Sequence, residues 1–374
     1  MSALDELKSL AGTVGNPLLE EWKKSGRRVV GFMCLYIPEE IIYAAGMMSY
    51  RLRAPGCTDT GASDVYLSHL NCSFARSCLQ LALDGTYDFL DGLVLTDSCD
   101  HVRRLYDILR EAGEKRFLHF ISVPHKVSQQ SIDFYREDLQ TFRETLMRAF
   151  DVDISDDSLR DAIDIYNETR DLLRDLYELR RAEHPPLTGA EAMSAVLPAT
   201  MIPRDRYNAL LRRLLEELKG REIGGDYKAR LVVAGGGGCD DPAYFETMEE
   251  LGGLVVADTL CLSGRYFWEP VQRTEDPLLG LASSYLKRPS CGKMADQVAD
   301  RVDFIRSMVA DFNADGVVYH RLRYCDLWAG QLLYVKDQMN KSGIPMLELE
   351  REYALGATGQ LRTRIQAFLE RLEG

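Results

Sequence analysis

One local plan occurs twice in this chain and narrows what it can fold into. Gly92-Leu93-Val94-Leu95-Thr96 is a short apolar run that leads to Ser98-Cys99-Asp100 and a helical pattern. Gly316-Val317-Val318-Tyr319 leads in the same way to Tyr324-Cys325-Asp326 and a second helical pattern. A glycine, Gly113 or Gly343, and a further apolar run follow each. Apolar runs this short suit strands covered on both faces, and strand–helix alternation places them in a parallel sheet. The expected fold class is therefore α/β, with two doubly wound, mainly parallel-sheet domains and extra helices.

At 374 residues the chain is longer than one ordinary core, so two domains are expected. Residues 1–150 form the first, an α/β domain with a helical arm over residues 1–26. Its strands fall at Val29–Met33, Tyr50–Leu52, Gly92–Thr96 and Phe117–Ile121. Pro38-Glu39-Glu40 starts a helix there, with Pro at the first helical position and the acids at its positive end. Helices follow Ser73 and Asp100. The stretch from Ser131 to Arg181 is almost wholly helical, and the boundary falls inside it. Residues 151–374 form the second domain, a helical linker and a second strand series at Leu231–Ala234, Leu254–Ala257, Gly316–Tyr319 and Pro345–Glu348.

Charge excludes one function class. A formal net charge of −13 argues against nucleic-acid binding, which needs a basic footprint. No apolar run approaches the roughly 18 residues of a membrane span, and the acidic start lacks an apolar leader segment. A cytoplasmic chain is the expectation. Its nine cysteines are too thinly spread for a disulfide scaffold, and none forms a Cys-x-x-Cys pair.

Three of those cysteines sit at element ends. Cys72 opens a helix, and Cys99 and Cys325 follow strands and precede helices. The carboxyl ends of strands are where open α/β sheets place ligands. The positive end of a helix favours thiolate, the form that binds metal. Asp100 and Asp326 suit the helix N-cap. Any one cysteine is more often a small buried residue. Three in matched settings point instead to one metal centre between the domains. Three thiolates without a partner histidine suit an iron–sulfur cluster better than structural zinc, which takes four ligands. Cys34 and Cys261 rank as pocket-wall residues, whereas Cys57 and Cys291 lie in loops.

Gly235-Gly236-Gly237-Gly238 follows a strand but matches neither dinucleotide nor P-loop spacing, so a tight turn lining the pocket is expected. Gly264-Arg265-Tyr266-Phe267-Trp268-Glu269-Pro270 is either core packing or a wall for a flat acyl group, with Phe267 and Trp268 as candidates. Arg103, Arg104, Arg321 and Arg323 are expected at the surface or in salt bridges. No Ser-His-Asp order appears.

These residues carry a resemblance. Asn71 to Ser77, Asp97-Ser98-Cys99-Asp100-His101-Val102-Arg103-Arg104, Cys325 and Gly343 to Glu350 resemble the 2-hydroxyacyl-CoA dehydratase / benzoyl-CoA reductase family. Gly31 to Cys34, Pro38 to Glu40 and Ala44 to Gly46 are similar to its N-terminal signature. The likeness spans about residues 28 to 370. Within the family it is most like the smaller cluster-bearing catalytic subunit of ATP-dependent benzoyl-CoA reductase.

The resemblance implies a 4Fe–4S cluster on Cys72, Cys99 and Cys325. It also implies a related cluster-bearing subunit in a heterodimer and a separate ATP-hydrolysing iron–sulfur activator. The implied activity is oxidoreductase chemistry on an aromatic acyl-CoA: low-potential single electrons dearomatise benzoyl-CoA to a cyclic diene-carboxyl-CoA, as in anaerobic aromatic degradation. Two alternatives stand beside it. One is a subunit of a radical (R)-2-hydroxyacyl-CoA dehydratase, a lyase. The other is a non-catalytic iron–sulfur electron-transfer or double-cubane protein of the same superfamily.

Overall fold

The structure, a computed structural model, describes residues 1–374 apart from positions 114 and 357. Two four-stranded sheets, each wholly parallel, carry the fold. The first contains β1 (Val29–Phe32), β2 (Met48–Arg51), β3 (Gly92–Thr96) and β4 (Phe117–Ile121), in the order β2-β1-β3-β4. The second contains β5 (Ala229–Gly235), β6 (Gly253–Asp258), β7 (Gly316–Leu322) and β8 (Met346–Arg351), in the order β6-β5-β7-β8. The chain thus is α/β, as expected, and the two sheets share one strand order.

That order fixes where a ligand can sit. Each sheet adds its second strand on one side of its first strand and its third on the other. The strand order therefore reverses between β1 and β3, and again between β5 and β7. Backbone connections leave in opposite directions there and open a crevice at the carboxyl ends of the strands. Register holds the pairs level, with Phe32 opposite Val94 and Gly235 opposite His320.

Helices cover the sheets. The helices Ser73–Leu83 and Asp100–Glu111 and the strands β3 and β4 have the limits that the sequence suggests. The long helical stretch is two helices, Gln129–Phe150 and Asp156–Glu178, parted where Asp151 turns left-handed at φ 53°. A helix at Pro277–Lys287 is an addition to the expected set. Its Leu278, Leu281, Tyr285 and Leu286 share an apolar cluster with Phe32, Ile41, Leu139 and Phe142. The stretch 271–294 therefore packs on the first sheet's side.

The signature acids Glu39 and Glu40 do more than complement a helix dipole. Pro38 is the N-cap, and both side chains are buried. Glu39 accepts hydrogen bonds from Tyr266 (2.8 Å), Ser49 (2.6 Å) and Arg204 (3.1 Å). Glu40 accepts from Arg170 (2.6 Å) and Tyr285 (2.6 Å). Burial opposes the Glu40 charge, but Arg170 and Tyr285 outweigh it and hold the carboxyl below its usual range. These bonds tie the start of one short helix to residues from five other stretches of chain.

Candidate metal centre

Cys72, Cys99 and Cys325 each occupy the N-cap of a helix, those at Ser73–Leu83, Asp100–Glu111 and Asp326–Ala329. This corrects the assignment of Asp100 and Asp326 as caps: each lies one residue inside, in the first turn. None of the three helices has a side-chain cap hydrogen bond, so sulfur stands where a serine or aspartate oxygen would normally accept one. The first-turn amides still act on the thiols. Those of Ala75 and Phe74 favour the Cys72 thiolate, those of Val102 and His101 favour that of Cys99, and that of Trp328 favours that of Cys325.

All three line one cavity of about 340 Å³ at the carboxyl ends of the strands. Burial pushes each thiol up to about 12, and their charges oppose one another: Cys99 acts on Cys72, Cys325 on Cys99 and Cys72 on Cys325. A bare set of this kind holds its protons at neutral pH. A cation placed among the sulfurs would reverse the balance, because it replaces lost hydration and mutual repulsion with attraction.

His101 binds the three loops together. One ring nitrogen lies 3.2 Å from Asn71 Oδ1, the residue before Cys72, and the other 2.9 Å from the carbonyl of Tyr324, the residue before Cys325. Arg104 donates to the same Asn71 oxygen at 3.1 Å, while Asn71 Nδ2 donates to the carbonyl of Ser68. Tyr324 adopts a left-handed backbone at φ 63°. A single side chain on the Cys99 helix thereby holds the approaches to both other cysteines.

Cys34 and Cys261 line the same cavity, as their positions after strands suggest. Cys291 lines it too, which its loop setting did not reveal. It follows the unexpected helix Pro277–Lys287, whose packing, with the bond from the Cys291 amide to Tyr36 Oη, brings it to the first sheet. Gly237 contributes wall, and the four-glycine turn has a steric cause. A Cβ on Gly235 would stand 1.9 Å from the His320 carbonyl oxygen, and one on Gly236 2.9 Å from Trp328. Phe267 and Trp268 are not among the lining residues. Phe267 is buried against Tyr177, and Trp268 packs on Phe304, so that stretch is core. Its neighbour Arg265 reaches the cavity, and the aromatic wall comes from Tyr36, Phe74 and Trp328. Arg321 and Arg323 pair with Glu348, Glu350 and Glu352.

Among the described residues, no three His, Cys, Asp or Glu side chains converge tightly enough for a single metal ion. A lone zinc would need its donors about 2.0–2.3 Å away. The sulfurs line the wall of a wider cavity rather than the shell of one ion. A buried cation also waits there: Arg51 is 3% exposed, its Nη2 lies 3.6 Å from Cys261 Sγ, and its Nε has no hydrogen-bond partner among the described residues. Soft sulfur donors beside a buried guanidinium fit an anionic iron–sulfur group.

Fold and cavity together define a class: paired parallel α/β sheets with a thiol-lined crevice at their strand-order reversals. Residues 34–372 match the family described as 2-hydroxyglutaryl-CoA dehydratase, D-component. The chain belongs to that family. It is 25% identical to the (R)-phenyllactyl-CoA dehydratase beta subunit of Clostridium sporogenes, over 96% of each chain. It is 24% identical to a subunit of benzoyl-CoA reductase from Thauera aromatica, over 94% of this chain and 93% of that one. It is also 24% identical to the (R)-2-hydroxyglutaryl-CoA dehydratase beta subunit of Acidaminococcus fermentans, over 100% of both. Reductase and dehydratase subunits are thus about equally similar to it. Among the described residues no helix is long and apolar enough to cross a membrane.

Proposed function

We propose that this chain is the iron–sulfur subunit of an ATP-dependent aryl-CoA reductase, with a 4Fe–4S cluster on Cys72, Cys99 and Cys325. The observation that carries the reading is the meeting of three N-cap cysteines in one cavity at both strand-order reversals. When bound, such a cluster supplies single electrons at low potential, which in proteins reaches about −700 mV. The protein's own part is binding and exclusion. Helical amides favour the thiolates, and His101 fixes the spacing of their loops. Phe74, Leu322 and Trp328 give the cavity apolar walls that keep water from a reactive acyl group. The net reaction adds two electrons and two protons to the aromatic ring and leaves the thioester intact.

In this reading a heterodimer is completed by a related cluster-bearing protein, and an ATP-hydrolysing iron–sulfur activator delivers the electrons in the cytoplasm. The names of the relatives, each a subunit, support a partnered enzyme. A division near residue 150, with 271–294 docked back on the first unit, accompanies it.

Two of those relatives are dehydratase subunits by name, which favours a second reading, a radical (R)-2-hydroxyacyl-CoA dehydratase subunit. An anaerobic assay of the complex with activator and ATP separates the two. Benzoyl-CoA consumed with two electrons per ring supports the reductase. Enoyl-CoA formed from a 2-hydroxyacyl-CoA, without net electron uptake, replaces it with the dehydratase.

A further inference from the structure

We propose that a second cavity, at the amino ends of β1 and β2, is a binding site for a free α-amino acid with an aromatic side chain. It shares no lining residue with the metal cavity among the described residues, and the inference stands independently of the cluster reading. The cavity measures about 570 Å³, within the range of small-molecule sites. Trp22 reaches it from the chain before β1, and Met47 and Met48 from the start of β2. Asp161 and Tyr166 come from the helix Asp156–Glu178, and Arg204 and Asp205 from the helix Arg204–Glu217.

Arg204 is the sign of a ligand. It is 3% exposed, and its guanidinium carbon lies 3.9 Å from the centre of the Tyr166 ring. Its Nη2 donates to Glu39 Oε2 (3.1 Å) and to Tyr266 Oη (2.9 Å). Its Nε and Nη1 have no hydrogen-bond partner among the described residues. Buried donors left unmade are costly, and carboxylate oxygens would satisfy them. Asp161 and Asp205 stand at the exposed rim. They form no ion pair among the described residues, whereas Asp157 and Asp164 nearby pair with Arg160 and Arg273. Tyr43, also in the wall, shows that the three charges converge. Burial raises its hydroxyl, Asp205 and Asp161 raise it further, and Arg204 lowers it.

This charge pattern selects the ligand. A simple anion would meet a guanidinium that Glu39 already balances, with two carboxylates at the rim. A simple cation would satisfy the rim and leave the Arg204 donors bare. An α-amino acid carries both groups on one carbon, so its carboxylate turns to Arg204 while its ammonium stays with Asp161 and Asp205. Much of the remaining wall is apolar. Met47, Met48 and Ile202 line it, and the Tyr43 ring stands edge-on to Tyr166 with centroids 5.8 Å apart. Thioether sulfur and aromatic rings both favour an aromatic side chain.

The test is isothermal titration calorimetry of the full chain with L-phenylalanine, with phenylpropionate, which lacks the ammonium, and with phenethylamine, which lacks the carboxylate. L-phenylalanine is expected to bind once per chain, and each truncated probe at least about tenfold more weakly. The double variant Asp161→Asn, Asp205→Asn is expected to weaken L-phenylalanine binding by about tenfold as well. Both acids are exposed, and circular dichroism checks that the variant folds. No binding of L-phenylalanine at millimolar concentration overturns the site. Phenethylamine binding as tightly as the amino acid overturns the part given to Arg204, and phenylpropionate doing so overturns that of the two acids. L-phenylalanine binding that the double variant leaves unchanged overturns the location. The wild-type titrations depend on no variant folding.

Discussion

Set side by side, the two sheets run in the same order, and in both the third strand leads to an N-cap cysteine, Cys99 after β3 and Cys325 after β7. They differ in what surrounds that cysteine. The first sheet adds Cys34 after β1 and Cys72 before β3, whereas the matching strand β5 ends in four glycines. Its flanking helix is anchored by the buried Glu39 and Glu40 pairs, while the outer strand β8 is edged by half-exposed pairs of Arg321 and Arg323. A shared topology thus sets where the cavity forms, and the local sequence decides which strand ends carry its cysteines.

The matched cysteines test that comparison most severely. Under the proposed ligand set, Cys99→Ala and Cys325→Ala should each remove most of the iron held by Cys72, Cys99 and Cys325, since three thiolates are few for one cubane. Loss in one variant and retention in the other, by anaerobic iron assay, would break the equivalence. Next come the ion pairs. Glu40→Gln leaves Arg170 buried without a counter-charge and should cost about 3–5 kcal/mol in urea unfolding. Glu350→Gln, on the outer strand, should cost no more than about 1 kcal/mol.

Acid and base separate the halves by sign. Burial pushes the His119 imidazole on β4 down to about 4, between the rings of Phe117 and Phe142. The unfolded chain takes up that proton near 6.5 while the folded chain does not. Stability present above 6.5 is therefore lost as pH falls through about 4, by up to about 3 kcal/mol, and His119→Leu should flatten that window. Glu249 behaves oppositely. Burial pushes its carboxyl up to about 6, although it accepts the Gly189 and Ala190 amides. Its stability, present below 4.5, is lost as pH rises through about 6, by about 2 kcal/mol at most, and Glu249→Gln should remove the loss. Hydrogen exchange on β4 and on the helix Pro242–Glu249 reads the two changes separately.

Much of this was legible in the residues. Strands that end on Cys99 and Cys325 are short, apolar and followed by capping signals, so their positions and the cavity's place could be read locally. Cys291 could not. Its route to the cavity depends on Pro277–Lys287 docking on Gln129–Phe150, a contact between distant stretches. Gly280 and the two serines in that helix mute its local helical signal. The burial of Glu39 and Glu40 was hidden for the same reason, since their partners lie more than a hundred residues away, apart from Ser49. Capping was misplaced by one residue because aspartate is a far commoner cap than cysteine.

The grip of His101 on Asn71 and Tyr324 has a bearing on how the protein matures. The loops that carry Cys72, Cys99 and Cys325 are joined by protein–protein bonds that need no inorganic part. Stripping the metal with a chelator should then leave circular dichroism close to that of the loaded chain and lower the urea midpoint without abolishing the transition, in contrast to a zinc finger, which unfolds when its ion is withdrawn.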